Sequence, residues 1–219
     1  VVRYAVRALD VHGMRALNER VIKVAEGAAM MTETEVEVRV LSAVSNLLGN
    51  TPLEEVMHAN LERLGPVAFD EADRDFARQI QATLTPEDIL ADYRRCGVKP
   101  KDDQPLCDFI VPFGQIGEPM IGSTDVGDVS WKVPTVQARV ATHAIGTPGH
   151  SWQITAQGMA GSAYKGLAYA AKAMAGTAVD LFDDAEKLAA AKADHAARLG
   201  KTPYVCPIPE DVTPPLFNA

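Results

Sequence analysis

The sequence lacks the features that mark membrane insertion, disulfide scaffolding and nucleic-acid binding. No apolar run approaches the roughly 20 residues a membrane helix needs, and the opening residues, VVRYAVRALD, do not have the pattern of a signal peptide. Three cysteines, Cys96, Cys107 and Cys206, are odd in number, widely spaced and free of any CxxC pair, which speaks against a disulfide framework and a zinc ribbon and for reduced thiols. Basic residues are outnumbered, 21 against 29 acidic, so a net charge of −8 makes nucleic acid a poor partner. The five histidines, at 12, 58, 143, 150 and 195, form no HxxxH or HxH pair, and no single element carries two metal ligands. The glycines do not follow a strand as a dinucleotide fingerprint requires. A soluble, cytoplasmic protein with no membrane partner is expected.

What is present is enough for a core. The 219 residues are 47% hydrophobic and 23% charged, the composition of a globular protein of one large domain or one and a half average ones. There is no initiator methionine, and the chain reads as if entered midway. Tyr4, Val6 and Ala8 alternate with Ala5 and Arg7, which predicts a strand. Met14, Leu17, Val21, Val24, Ala28 and Met31 make one apolar stripe, which predicts a helix lying on a sheet. Between Thr34 and Val40 the period switches to two, with Val36, Val38 and Val40 on one face. Strand, helix and strand suggest half of a split βαβ layer over residues 1–48.

From Gly49 the signals change. Thr51-Pro52-Leu53-Glu54 predicts a helix start, and Gly65-Pro66 its end. Shorter helices are expected from Asp70 and from Thr85-Pro86-Glu87-Asp88, and a loop-rich stretch from Gly97 to Gly122. Val129–Trp131 and Thr135–Ala141 are β-prone and read as buried strands. An Ala-rich helix from about Ser162 to Phe182 presents Leu167, Ala171, Met174, Ala178 and Leu181 on a face suited to close packing on a sheet. A superficial helix near Asp184–Leu199 and an extended tail, with prolines at 203, 207, 209, 214 and 215, complete the chain. The expected class is α/β.

Two places could carry chemistry. Gly146-Thr147-Pro148-Gly149 forms a tight turn that would present His150 at a strand's end, where ligand sites of α/β sheets collect; the alternative is a loop histidine bonded to a backbone carbonyl. Gly122-Ser123-Thr124-Asp125-Val126-Gly127-Asp128 could set amides and hydroxyls around a carboxylate or oxyanion, or could be a turn whose aspartates cap nearby amides. Returning strands between the two would make them border one cleft. His58 and His195, among polar helix neighbours, read as solvated, and His12 as a turn residue.

The stretch GSTDVGDVSWKVPTVQARVATHAIGTPGHSWQITAQG, followed by SAYKGLAYAAKAMAGTAVDLF, resembles the C-terminal catalytic segment of the dinuclear-zinc aminoacylase and carboxypeptidase-like amidohydrolases, and within them the aminobenzoyl-glutamate utilization protein B group. ERVIKVAEGAAMMTETEVEVRVLSAVSNLL resembles the second half of that group's inserted lid. The resemblance covers essentially the whole chain but only about the C-terminal half of a family member. The motifs for most metal ligands and the acidic general base, which the other half would carry, are not found. It implies part of a βαβ lid and dimerisation domain over 1–48 and the C-terminal part of an α/β zinc-peptidase-like catalytic domain over 49–219. It also implies two zinc or manganese ions per complete site and hydrolysis of an amide such as p-aminobenzoyl-glutamate. His150 matches a late metal ligand. Gly122, Ser123 and Thr124 match the loop that approaches the substrate carboxylate, and Arg7 matches a lid arginine that can pair with it, although Arg7 reads equally as a solvated strand residue. Asp125 and Asp128 are candidates to support the ligand or to cap turns. Tyr164 stands where the group would be expected to have His. A homodimer through the lid, or assembly with a related subunit, is implied. The competing expectation is a catalytically incomplete structural or complementing subunit.

Overall fold

The computed structural model describes residues 1–115, 117–118, 122–201 and 203–213. Among them every regular element is a helix, and there is no strand and no sheet. This overturns the expected α/β class and the βαβ lid. Thr34–Val40 and Thr135–Ala141 have the alternation or composition of strands but run without regular structure. Alternation states only which side of a chain is apolar. A strand exists when a second chain segment accepts and donates its backbone hydrogen bonds, and no described segment does so here. Val36 and Val38 are accordingly exposed. Among the described residues no helix is long and apolar enough to cross a membrane.

The chain divides into two units. The first comprises residues 1–49, 122–135 and 195–219. It contains α1, Val11–Met31, whose start is fixed by Asp10: its carboxylate accepts the Gly13 N–H at 2.7 Å. The stripe expected to face a sheet is open, with Leu17, Val24 and Met31 exposed and only Val11 buried. The segment expected as a strand at Val129–Trp131 belongs instead to α2, Val126–Ser130, and the turn following it. Residues 203–213 are irregular, and Arg15 donates to the carbonyls of Val205 and Cys206, each at 3.0 Å. The prolines at 214 and 215 lie outside the described residues.

The second unit comprises residues 50–121 and 136–194. In chain order it holds α3 (Thr51–Leu64), α4 (Glu71–Gln81), α5 (Pro86–Cys96), α6 (Trp152–Gln157), α7 (Gly161–Asp183) and the larger part of α8 (Ala185–Leu199). The helix starts follow local chemistry. Asn50, one residue before the expected cap, accepts the Leu53 N–H at 3.1 Å. Asp70 and Asp73 close one capping box, and Thr85 and Asp88 another. Gly65, at φ +70°, ends α3. Small residues bring α7 onto α3: a side chain at Gly176 would collide with the amide oxygen of Asn60. The core gathers Val67, Phe69, Ala77, Ile80, Leu106 and Ala144. Leu106 is fully enclosed, a site at which truncation to Ala costs about 2–5 kcal/mol.

Candidate functional site

The 122–128 loop is held by its second half. Gly127 donates its N–H to the Thr124 carbonyl and Asp128 to that of Asp125, each at 3.1 Å, which winds the chain into α2. Asp128 then accepts three hydrogen bonds: the Ser45 N–H at 3.1 Å, the Ser45 hydroxyl at 2.7 Å and the Tyr204 hydroxyl at 2.9 Å. Burial, aided by the bond to Asp128, raises the Tyr204 pKa. Gly127 lies against the Ser45 carbonyl with no room for a Cβ. Ser130 accepts the Leu48 N–H at 2.8 Å. The Trp131 indole donates to the Asn46 carbonyl at 2.9 Å. Stretch 45–48 and α2 are thus fastened along their length, while Gly122, Ser123 and Asp125 remain exposed and Thr124 half-buried. The Thr124 hydroxyl accepts the Val126 N–H at 3.3 Å, and the Asp125 side chain caps nothing. Arg7 is exposed.

The Gly146–His150 turn is locked from inside by a residue that the sequence motifs do not single out. Gln157, 2% exposed, accepts the Ala144 N–H at 2.7 Å and donates to the Thr147 hydroxyl and the Gln153 carbonyl, each at 3.1 Å. Asp92 accepts the Gly146 N–H at 2.6 Å. The sequence offers for Gln157 no more than a polar residue seven positions after a candidate ligand histidine. His150 sits at φ +58°, an uncommon left-handed conformation for a non-glycine residue, and is exposed. Ser151 follows at once and caps α6, accepting the Ile154 N–H at 3.3 Å. Among the described residues His150 has no hydrogen-bond partner, so neither the expected backbone carbonyl nor a carboxylate holds its ring.

His195, His58 and His12 depart from their expected places. His195 is buried and donates Nε2–H to the Ser130 carbonyl at 2.9 Å. His58 is half-buried, 5.3 Å from the Phe113 ring and 3.3 Å from a Glu62 oxygen. Polar neighbours in the sequence of a helix do not reveal which loop or tail lies over that face. His12 belongs to α1 and is exposed. His143, partly buried, contacts the Thr142 hydroxyl through Nδ1 at 3.0 Å, and burial holds its pKa below the ordinary value. Tyr164 is exposed on α7.

Arg7, Gly122, Ser123, Thr124, Asp125 and Asp128 belong to the first unit and His150 to the second. The described residues contain no group of three or more His, Cys, Asp or Glu side chains that could hold a metal ion. A hydrolytic ion takes about three protein donors. Among the described residues the donor set therefore falls short of what a zinc or manganese pair needs, and His150 contributes one imidazole to it. The three cysteines are free thiols, with burial raising the pKa of Cys96 and Cys107.

No family profile matches the chain, and no solved structure matches it either. Its sequence is nevertheless similar to that of a hydrolase subunit. The relative is one of the subunits of p-aminobenzoyl-glutamate hydrolase from Escherichia coli (strain K12), to which this chain is 38% identical over 223 residues. The match takes in 97% of this chain but spans 46% of the relative, and is consistent with the C-terminal half of that family.

Proposed function

We propose that this chain forms part of a metal-dependent hydrolase that cleaves the amide of an N-acyl or N-aroyl amino acid such as p-aminobenzoyl-glutamate. The observation that carries the reading is the 38% identity to the E. coli hydrolase subunit over 97% of the chain. The reaction adds water across the amide, breaking the C–N bond and releasing a carboxylic acid and an amino acid. In this reading two zinc or manganese ions serve the complete site. His150, whose ring is open, supplies one donor to a centre completed by residues outside this chain. Ser123, Thr124 and the Gly122 amide bind the carboxylate of the amino-acid portion, and Arg7 forms a planar pair with it. Asp128 supports this loop from behind through Ser45 and Tyr204.

A second reading is favoured by the incomplete donor set: the polypeptide is a structural or complementing subunit with no turnover of its own. The relative is itself named a subunit, and assembly with a related subunit, or as a homodimer, in the cytoplasm fits both readings. The test is release of p-aminobenzoate from p-aminobenzoyl-glutamate by the protein purified from its own host. Under the first reading turnover requires zinc or manganese, and His150→Ala lowers both metal content and rate by about tenfold or more. In the same assay Thr124→Ala raises KM with kcat little changed. A host protein that turns over unchanged after His150→Ala removes the metal-ligand role. Metal-dependent turnover by the 219-residue chain alone would end the second reading.

A further inference from the structure

We infer that the outward face of α7 is an interface, covered in the working protein by the counterpart of the portion of the E. coli subunit that this chain does not match. The helix has two unlike sides. One side carries Gly166, Ala173, Gly176 and Thr177, with Gly166 against the Ala141 carbonyl and Gly176 and Thr177 against α3, and two of the helix's charged groups are engaged there, Lys165 with Asp70 and Asp73 and Asp180 with Asn60 and Arg63. Its other side carries Tyr164, Leu167, Ala171, Met174, Ala178 and Phe182 at steps of three and four residues, which align them in one row along the helix. Leu167 is 66% exposed, Met174 60% and Phe182 89%. By the 100° spacing of a helix, none of the four charged residues of α7, Lys165, Lys172, Asp180 and Asp183, falls in that row.

A helix whose small and hydroxyl residues are enclosed and whose Leu, Met and Phe face outward is inverted for a solvent-exposed position, because water penalises the larger apolar surface. The two ends of the row stand about five turns apart, far longer than the isolated apolar residues common on protein surfaces. The alanines between the large side chains let a second surface approach closely along the row. What covers it follows from length. The similarity to the E. coli subunit runs over 97% of this chain, yet more than half of that protein lies outside the match. A second copy of the chain is the competing occupant and is separated by the test. The inference rests on the reading of this chain as part of a larger hydrolase, but concerns where the remainder docks and not which residues serve the reaction.

The experiment places a single cysteine on the row, Ala171→Cys, and a second on exposed α8 as reference, Ala189→Cys, each in the protein purified from its host and in the 219-residue chain. Maleimide labelling of each peptide is followed by mass spectrometry. In the host protein the thiol introduced at position 171 is expected to label at least about tenfold more slowly than the one at position 189, and in the 219-residue chain at a similar rate. Leu167→Glu combined with Met174→Glu is expected to raise the labelling rate at position 171 in the host protein to that at position 189, with the helical circular dichroism retained. Equal labelling in the host protein overturns the inference, as does a host protein containing no segment homologous to the unmatched portion of the E. coli protein. Protection already present in the isolated chain, together with a dimer by light scattering, assigns the face to a second copy and also overturns it. Loss of catalysis in His150→Ala leaves these readouts unmoved, so failure of the site assignment and failure of the interface are distinguishable.

Discussion

Asp128 grips Ser45 through both of its carboxylate oxygens, taking the backbone N–H on one and the hydroxyl on the other, across 83 positions of sequence. The same carboxylate accepts the Tyr204 hydroxyl, so three segments of the first unit converge on one side chain. In the sequence this aspartate is one of two carboxylates in a small-residue loop; in the structure it is the member that fastens the loop, while Asp125 caps nothing.

Asp128→Ala is expected to destabilise the protein by about 1–3 kcal/mol, because it leaves the donors of buried Ser45 and half-buried Tyr204 without their acceptor. Tyr204→Phe, which removes one of the three bonds, is expected to cost about 0.5–1.5 kcal/mol. Urea unfolding curves followed by tryptophan fluorescence give both values. An Asp128→Ala midpoint equal to that of the unchanged protein would show that the clamp contributes nothing.

The turn before His150 makes a prediction about backbone strain. Gly146 adopts φ +91°, and a Cβ there would lie 2.8 Å from the Ile89 Cα. Gly146→Ala should therefore cost about 1–3 kcal/mol from left-handed strain and overpacking together. Gly149→Ala has open space and serves as the control. Thermal unfolding of the two variants should separate them; equal midpoints would mean that the turn is free to rearrange.

Acid sensitivity should originate partly at the pairing of α7 with the start of α4. Lys165, hydrogen-bonded to Asp70, holds the Asp70 pKa below the ordinary carboxylate value of 3.8. A carboxylate depressed by folding adds stability that is fully present above its unfolded pKa and lost as pH falls through the folded one. Lys165→Met should lower stability at neutral pH, since it removes the cation beside the largely buried Asp73, and should flatten the acid limb of a stability profile measured from pH 7 to pH 3. A variant profile parallel to the original would contradict this coupling.

His143 should titrate below the ordinary histidine value of 6.5, because burial disfavours its charged form. The unfolded chain takes up that proton first as pH falls past 6.5, so this group withdraws stability on the acid side of that value. Two-dimensional NMR of the ring protons from pH 8 to pH 4.5 reads its midpoint directly. A midpoint at or above 6.5 would show that the ring is solvated.

What the sequence determined by itself was local. Asp70 with Asp73, and Thr85 with Asp88, close helix starts within three residues, and Gly65 stops α3 at the next position, so the residues that decide these boundaries are neighbours in the chain. The extents of α7 and α8 were legible from composition and spacing along the chain, α7 without any side-chain cap, and so was the kinship suggested by the contiguous STDVGDVSW and GTPGHSWQ motifs. Tertiary structure alone decided the rest. The alternation of Val36, Val38 and Val40 could not say whether a second strand would meet them, because a ladder depends on a partner from elsewhere, and among the described residues none comes. His195 looked solvated among its helix neighbours but is buried against the carbonyl of Ser130, 65 positions away. Gln157, the lock behind the His150 turn, was invisible because a polar side chain gains its role only when the Ala144 N–H and the Thr147 hydroxyl are brought around it and removed from water, where an unpaired polar group is costly and a matched amide is required.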